Sequence, residues 1–448
     1  MPDSSSATPE RETGVGSYFV ANYPPFSVWS PAAVETDAKP ALQSPGTSVP
    51  LGLYLHIPFC RKRCHFCYFR VYTNKNAQDV TTYLDVLARE WDLISRQPAV
   101  AGRKLDFVYF GGGTPSFLST SQLTGLVQRL TSGGSGWRAG ASAPAEITFE
   151  CEPGTLTDAK LKVIRDLGVT RLSLGVENFS DRILEINGRA HRSPEINVAY
   201  ERARKLGFPQ INIDLIAGML GETDHNWRDS VEKTLALDPD SVTIYQMELP
   251  FNTAISGDLL KGTGLFTESV ATWATKRRWV AEAFEALEGA GYHIGSAYTA
   301  VKRPEVTKFV YRDRLWEGAD LLGLGVASFG HVNGVHMQNL DRWEAYVGAV
   351  ERGELPLQRA YRPSAEERLI REVVLQLKRG WIRPQYFQDN YGVDIRDRFK
   401  EQFASLLRDG LMGPSTPDRF TLTRDALLKV DTLLPRFFLP EHTGIRYT

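Results

Sequence analysis

Four cysteines occur in 448 residues, and three of them, Cys60, Cys64 and Cys67, share one short stretch, Leu53-Tyr-Leu-His-Ile-Pro-Phe-Cys60-Arg-Lys-Arg-Cys64-His-Phe-Cys67. Three thiolates so close in sequence can converge on one inorganic centre. A structural zinc takes four Cys or His ligands in paired knuckles. The fourth cysteine, Cys151, lies far down the chain, and His65 sits where a short loop could hardly bring all four ligands round one tetrahedral ion. A [4Fe–4S] cluster normally uses four cysteines, so three leave one iron with an open coordination position and make the cluster a candidate reactive site. Three buried structural cysteines are the remaining alternative, although burial has no use for this spacing.

Such a centre needs a scaffold, and the chain from Leu51 to about Tyr298 alternates short β-rich runs with helix-length amphipathic segments. The expected strands are Gly52 to Ile57, Leu105 to Phe110, Glu146 to Cys151, Arg171 to Val176, Ile211 to Ile216 and Val242 to Leu249. Between them, segments such as Thr81 to Ile94, Asp158 to Leu167, Pro194 to Leu206 and Asn226 to Leu237 carry apolar residues at helical spacing. Six βα units in order point to an α/β fold with parallel strands and helices outside, curled by right-handed crossovers into a partial (β/α)6 barrel. Chemistry in such barrels sits at the C-terminal strand ends. The cysteine loop follows the first strand and Gly111-Gly-Gly-Thr-Pro115 follows the second, while Glu150, Glu177, Asp214 and Glu248 stand near later strand ends.

The spacing Cys-x3-Cys-x2-Cys after a first strand resembles the signature of the radical S-adenosylmethionine (SAM) enzymes. The fuller match, Tyr54 to Cys67 followed by Gly111 to Pro115, resembles the branch containing the oxygen-independent coproporphyrinogen III oxidases. The resemblance implies a [4Fe–4S] cluster on Cys60, Cys64 and Cys67 whose open iron chelates SAM, and one-electron cleavage of SAM to methionine and a 5′-deoxyadenosyl radical. It implies SAM contacts from Tyr54, Phe66, Gly112, Gly113, Thr114, Glu150, Glu177, Arg189, Asp214, Ile216 and Met247. Glu177 stands where the oxidases usually carry Gln, and Glu248 is a candidate proton acceptor or a strand-end cap. Glu177 and Glu248 are the candidate catalytic residues.

Two departures bear on the reaction. The oxidases carry a further cysteine two residues past the cluster, where this chain has Phe69. The haem-chaperone relatives show a His-Asn-x-x-Tyr-Trp stretch, where this chain reads Lys308-Phe-Val-Tyr-Arg312. By elimination the resemblance points to radical C-methylation or cyclopropanation with a second SAM. Coproporphyrinogen-type oxidative decarboxylation and non-catalytic haem carriage are the alternatives, so the partner is a small organic substrate or a tetrapyrrole. Arg61-Lys62-Arg63 is either a solvated face or a docking patch for an acidic flavodoxin- or ferredoxin-type electron donor.

A formal charge of −1 argues against a general nucleic-acid binder. No run is long and apolar enough to span a membrane and no secretory signal opens the chain, so a reducing cytoplasm is expected. The expected organisation is an N-terminal arm over 1–50, largely flexible, with an aromatic strap at 18–29 packed on the body or closing one mouth of the site. A barrel over 51–300, a connector over 301–363 and a C-terminal accessory domain over 364–448 follow. Gly318 to Gly330 resembles a segment that returns to the active site, or is a plain core strand. The accessory domain, with helices Ala365 to Lys378, Asp394 to Arg408 and Arg424 to Leu434 and a strand-like Phe420-Thr-Leu-Thr, reads as a winged-helix-like lid.

Overall fold

The computed structural model describes residues 13–17, 19–132 and 143–445. Along each central strand the alternate residues separate two environments. Ile147 and Phe149, Leu172 and Leu174, Ile211 and Ile213, and Val242 and Ile244 are buried in one continuous apolar core, each contributing roughly 1.5–3 kcal/mol. The intervening Thr148, Ser173, Asn212 and Thr243 are also buried but polar, and the last three are bonded across the strands. Asn212 donates to Ser173 Oγ at 3.0 Å and accepts from Ser241 and Thr243 at 2.8 and 3.1 Å. The period-2 pattern thus makes an apolar outer layer under the helices and a polar interior.

The strands are β1 (Leu51–Ile57), β2 (Leu105–Gly112), β3 (Glu146–Cys151), β4 (Arg171–Glu177), β5 (Gln210–Ala217) and β6 (Ser241–Gln246), parallel and adjacent in sequence order. Four helices between them, Ala77–Ile94, Asp158–Asp166, Ser193–Lys205 and Asp224–Leu237, match the expected ones to within a few residues. β6 stops at Gln246 rather than Leu249, and the chain turns away at Pro250.

The sheet is wider than six strands. β7 (His293–Ile294) and β8 (Thr299–Val301) add beside β6, while β9 (Asp320–Leu324), β10 (Phe329–Val332), β11 (Val335–Asn339) and β12 (Leu357–Tyr361) add beyond β1. β9 is parallel to β1 and the outer strands are antiparallel. Apart from β9, within Gly318 to Gly330, these strands were not expected, because runs of two to five residues are too short to show a period. Gly318 to Gly330 is therefore a core strand and turn of this extension. The buried Glu90 holds the extension to helix Ala77–Ile94, accepting from the Gly325 amide, Tyr346 and Asn339 at 2.8, 2.6 and 2.5 Å.

The N-terminal segment departs from the expected loose arm. Of the residues assigned to it, 1–12 and Tyr18 lie outside the described ones. Val34, Ala38, Ala41 and Leu42 recur at helical spacing and are buried in the main core. From the aromatic strap, Tyr23 is fully buried and Trp29 stacks on His336 at 5.1 Å.

The C-terminal part has its own apolar core, shared with Val20, Tyr23 and Ala297. Its two strands, β13 (Trp381–Ile382) and β14 (Phe420–Thr421), pair antiparallel as a wing. The expected helix over 394–408 is broken into Ile395–Arg398 and Lys400–Arg408. The break falls at Phe399, whose ring is buried against Phe437 at 5.5 Å. A second break at Lys429 divides the last expected helix into Arg424–Leu428 and Val430–Leu433. No helix among the described residues is long and apolar enough to cross a membrane.

Candidate active site

The C-terminal ends of β1 to β6 surround one chamber of about 370 Å³. Its wall includes Cys60, Cys64, Cys67, Phe66, Gly112, Gly113, Thr114, Glu150, Glu177, Arg189, Asp214, Ile216, Met247 and Glu248, so all but one of the residues singled out from the sequence meet there. The exception is Tyr54. It stacks on Tyr109 at 5.9 Å and shares a 3.3 Å hydrogen bond with His56, standing outside the wall, which Tyr109 forms at this point. Among the described residues, none beyond Pro250 contributes to the wall. The expected C-terminal lid is instead a brace behind β6, where Gln246 Nε2 donates to Leu428 O at 2.8 Å.

The cysteine loop is fixed at several points. Cys60 N donates to Tyr72 O at 3.1 Å, Tyr72 N to Pro58 O at 2.6 Å, and Cys67 N to Cys64 O at 3.2 Å. His65 shares a hydrogen bond between Nδ1 and Ile186 O at 3.0 Å, and its amide donates to Asn187 O at 3.0 Å. The alternative zinc ligand is thus an anchor committed to its neighbours. Among the described residues no group of three Cys, His, Asp or Glu side chains converges on a single-ion site, whereas the three cysteines open into one chamber. Burial pushes the Cys60 and Cys67 thiols up to about 12 and 11, so a cationic centre is what would hold them as thiolates. Thr114 Oγ1 and Arg189 Nη1 donate to the sulfurs of Cys60 and Cys64, each at 3.3 Å. The donor set fits a [4Fe–4S] cluster on Cys60, Cys64 and Cys67.

Backbone approaches the chamber at the glycines after β2. Gly113 N donates to Ile57 O at 2.9 Å, and a Cβ there would lie 2.8 Å from that oxygen and 3.0 Å from Phe59 N. Gly112 has φ +107°, and a Cβ would enter the His56 ring. Only glycine lets β1 and β2 close so tightly here.

Three carboxylates share the inner wall. Glu150 accepts from Tyr109 at 2.7 Å and from Gly112 N at 3.2 Å. Burial raises it to about 7, against the opposing pull of the Tyr109 hydrogen bond. Glu177 is likewise raised by burial to about 7, with Arg189 opposing. Its backbone is left-handed, φ +65°, a conformation that costs a residue with a Cβ about 1–2 kcal/mol. Asp214, raised by burial, accepts from Ser173 and Asn212 at 2.8 and 2.9 Å. Such a wall suits a cationic or hydrogen-donating ligand group. On the far side Phe66 and Ile216 pack against a small apolar cluster containing Met247, Leu249 and Ile255. Burial raises the Glu248 carboxyl above its ordinary range, and its Oε2 has no hydrogen-bond partner among the described residues. Behind it, the buried Lys276 donates to Met247 O at 2.7 Å and Thr13 Oγ1 at 2.6 Å.

Sequence reasoning missed Tyr109, Ser173 and Tyr245, which also line the chamber. Stepping back two residues along each strand from Gly111, Gly175 and Met247 would have found them, because alternate residues share a face. Phe19, Tyr68 and Phe69 complete the outer wall. Lys62 and Arg63 line it as well, whereas Arg61 pairs with Glu152 at 2.6 Å.

Residues 54–234 match the model of the radical SAM superfamily. The haem chaperone HemW of Bacillus subtilis is 27% identical over 364 residues, 80% of this chain and 92% of that protein. The oxygen-independent coproporphyrinogen III oxidase of Pseudomonas aeruginosa is 27% identical over 378 residues, 81% of this chain and 80% of that protein. Among solved structures, the coproporphyrinogen III oxidase HemN of Escherichia coli, described as a radical SAM enzyme, shares the fold. It gives a TM-score of 0.79 at 24% identity, covering 93% of this chain and 96% of that one. Residues 54–234 thus carry the likeness to the radical SAM superfamily, whose chemistry rests on a [4Fe–4S] cluster and SAM. Over most of its length the chain is similar to the oxygen-independent coproporphyrinogen III oxidases and HemW-type chaperones.

Proposed function

We propose that this radical SAM enzyme acts on a carboxylated tetrapyrrole by oxidative decarboxylation of the coproporphyrinogen type. When bound, the cluster and SAM together supply a 5′-deoxyadenosyl radical. The observation that carries the reading is the meeting in one chamber of three cysteines, a glycine backbone edge, Glu150, Glu177, Arg189 and Asp214. Cys60, Cys64 and Cys67 hold the cluster. The Gly112–Thr114 edge and Glu150 face SAM's methionine end, and Glu177 is oriented by Arg189. Ile216 and Met247 give the apolar side, and Glu248 serves as proton acceptor toward the substrate. The tetrapyrrole comes from the relatives, which are named as coproporphyrinogen oxidases and haem chaperones along most of their length. Those names favour this reading over the C-methylation or cyclopropanation expected from the sequence.

Haem carriage is the second reading, supported by Phe69. It stands where the oxidases carry a cysteine, is 44% exposed and stacks on Tyr68 at the chamber wall. Anaerobic incubation of the reconstituted enzyme with SAM, a reductant and coproporphyrinogen III separates these outcomes. 5′-Deoxyadenosine with carbon dioxide supports decarboxylation. S-adenosylhomocysteine would mark methyl transfer, and tight haem binding without turnover would mark carriage.

A further inference from the structure

Beside the cysteine loop lies an apolar surface held in a fixed shape. Helix Ala254–Lys261 buries Ile255, Ser256 and Asp258. It presents Leu259 and Leu260 at 52% and 63% exposure, and Leu265 in the loop after it is 73% exposed. The segment is well bonded. Thr253 caps the helix by accepting from Ser256 N at 3.1 Å. The inward Asp258 accepts the Leu265 and Phe266 amides at 2.8 and 3.1 Å, folding the loop back with Leu265 in solvent. Isolated exposed leucines are ordinary, but a rigid group of them marks an interaction surface.

Both ends of this surface are tied to His65, the residue between Cys64 and Cys67. The His65 carbonyl accepts from Ala254 N at 3.0 Å, and its ring lies 4.9 Å from that of Phe266. Asn252 donates to Tyr68 O at 2.8 Å, and Arg63 Nη2 reaches Cys67 O and Asn252 O at 3.1 and 3.4 Å. The apolar face is therefore built onto the cysteine loop. Its free charges are positive. Lys62 and Lys261 are exposed and have no acidic partner among the described residues, Arg63 bonds only carbonyls, and Asp258 is turned inward.

We propose that Leu259, Leu260 and Leu265, rimmed by Lys62, Arg63 and Lys261, form the docking site for an acidic one-electron donor protein of the flavodoxin kind. The proposal rests on the radical SAM reading. A cluster must take its electron from outside, and transfer rates fall steeply with distance, so a donor has to seat next to the cysteine loop. The partner loses one electron and the cluster gains it; no bond forms or breaks at this surface. An apolar centre supplies affinity, and the basic rim steers an acidic partner.

The test compares SAM cleavage by the reconstituted enzyme driven by reduced flavodoxin with cleavage driven by dithionite. In L259S/L260S the flavodoxin-driven rate should fall about tenfold, with the dithionite-driven rate unchanged. K261E should lower the flavodoxin-driven rate most at low ionic strength. An unchanged flavodoxin-driven rate in L259S/L260S overturns the proposal, whether or not the variant alters self-association. An equal fall with both reductants overturns it too, since the face would then only support the site. Wild-type cleavage with dithionite but none with flavodoxin also overturns it. No wild-type cleavage with dithionite would instead sink the radical SAM reading.

Discussion

Arg189 and Glu177 lie across the chamber wall with Arg189 Nη2 and Glu177 Oε1 3.7 Å apart, the guanidinium also donating to Cys64 Sγ at 3.3 Å and Gly175 O at 2.6 Å. One cation thus bridges the cluster loop and the end of β4. Glu177 meets it only by adopting φ +65°. A buried carboxyl raised to about 7 on a strained backbone is costly to the fold, which is expected where position serves a ligand.

Glu177→Gly should accordingly stabilise the unliganded protein by about 1 kcal/mol while weakening SAM binding about tenfold. Glu177→Gln, which supplies the amide usual in the oxidases, should bind SAM within a few-fold of wild type. Denaturant unfolding and equilibrium dialysis against SAM under anaerobic conditions measure the two effects.

Gly112→Ala and Gly113→Ala should both be damaging, for different reasons. At Gly112 the added methyl enters the His56 ring and the backbone is left-handed; at Gly113 it meets backbone atoms of Ile57 and Phe59. Each should cost roughly 1–3 kcal/mol and reduce SAM cleavage at least about tenfold. Thermal unfolding and 5′-deoxyadenosine yield read this out, with Gly125→Ala, where nothing lies near the new methyl, as the control.

What was legible in the sequence was the part written in strict periods. β1 to β6 alternate polar and apolar residues, so their ends and the side chains there could be counted off. Glu150 and Asp214 were found in this way, and Cys60 by the cysteine spacing after β1. Tyr109 and Tyr245 escaped because they sit one inward step before the strand ends. Tyr54 belongs to the inward face of β1, yet Tyr109 on the neighbouring strand stands between it and the chamber. The outer strands are too short to show a period, and the burial of Val34 and Leu42 was masked by the Ser- and Pro-rich composition around them.

Glu90 gives a pH dependence remote from the chamber. Burial raises it from 4.5 to about 7, so the folded state holds this proton more tightly than the unfolded chain does. Its contribution to stability therefore falls as pH rises from about 4.5 to 7, by roughly 2–3 kcal/mol, and is level above that. Glu90→Gln should flatten this slope. It should also lower stability at pH 5, because an amide places its NH2 group against Asn339 Nδ2. Urea unfolding at pH 5 and pH 7.5 for both proteins measures the difference.

The most direct test of the central claim is 5′-deoxyadenosine formation from SAM with dithionite after anaerobic reconstitution with iron and sulfide. Wild type should bind about four irons per chain and form the nucleoside, while Cys60→Ala, Cys64→Ala and Cys67→Ala each abolish formation and Cys151→Ala, a buried core position, does not. Formation that survives loss of any of the three cysteines, or a wild type that holds iron yet leaves SAM intact, would contradict the account.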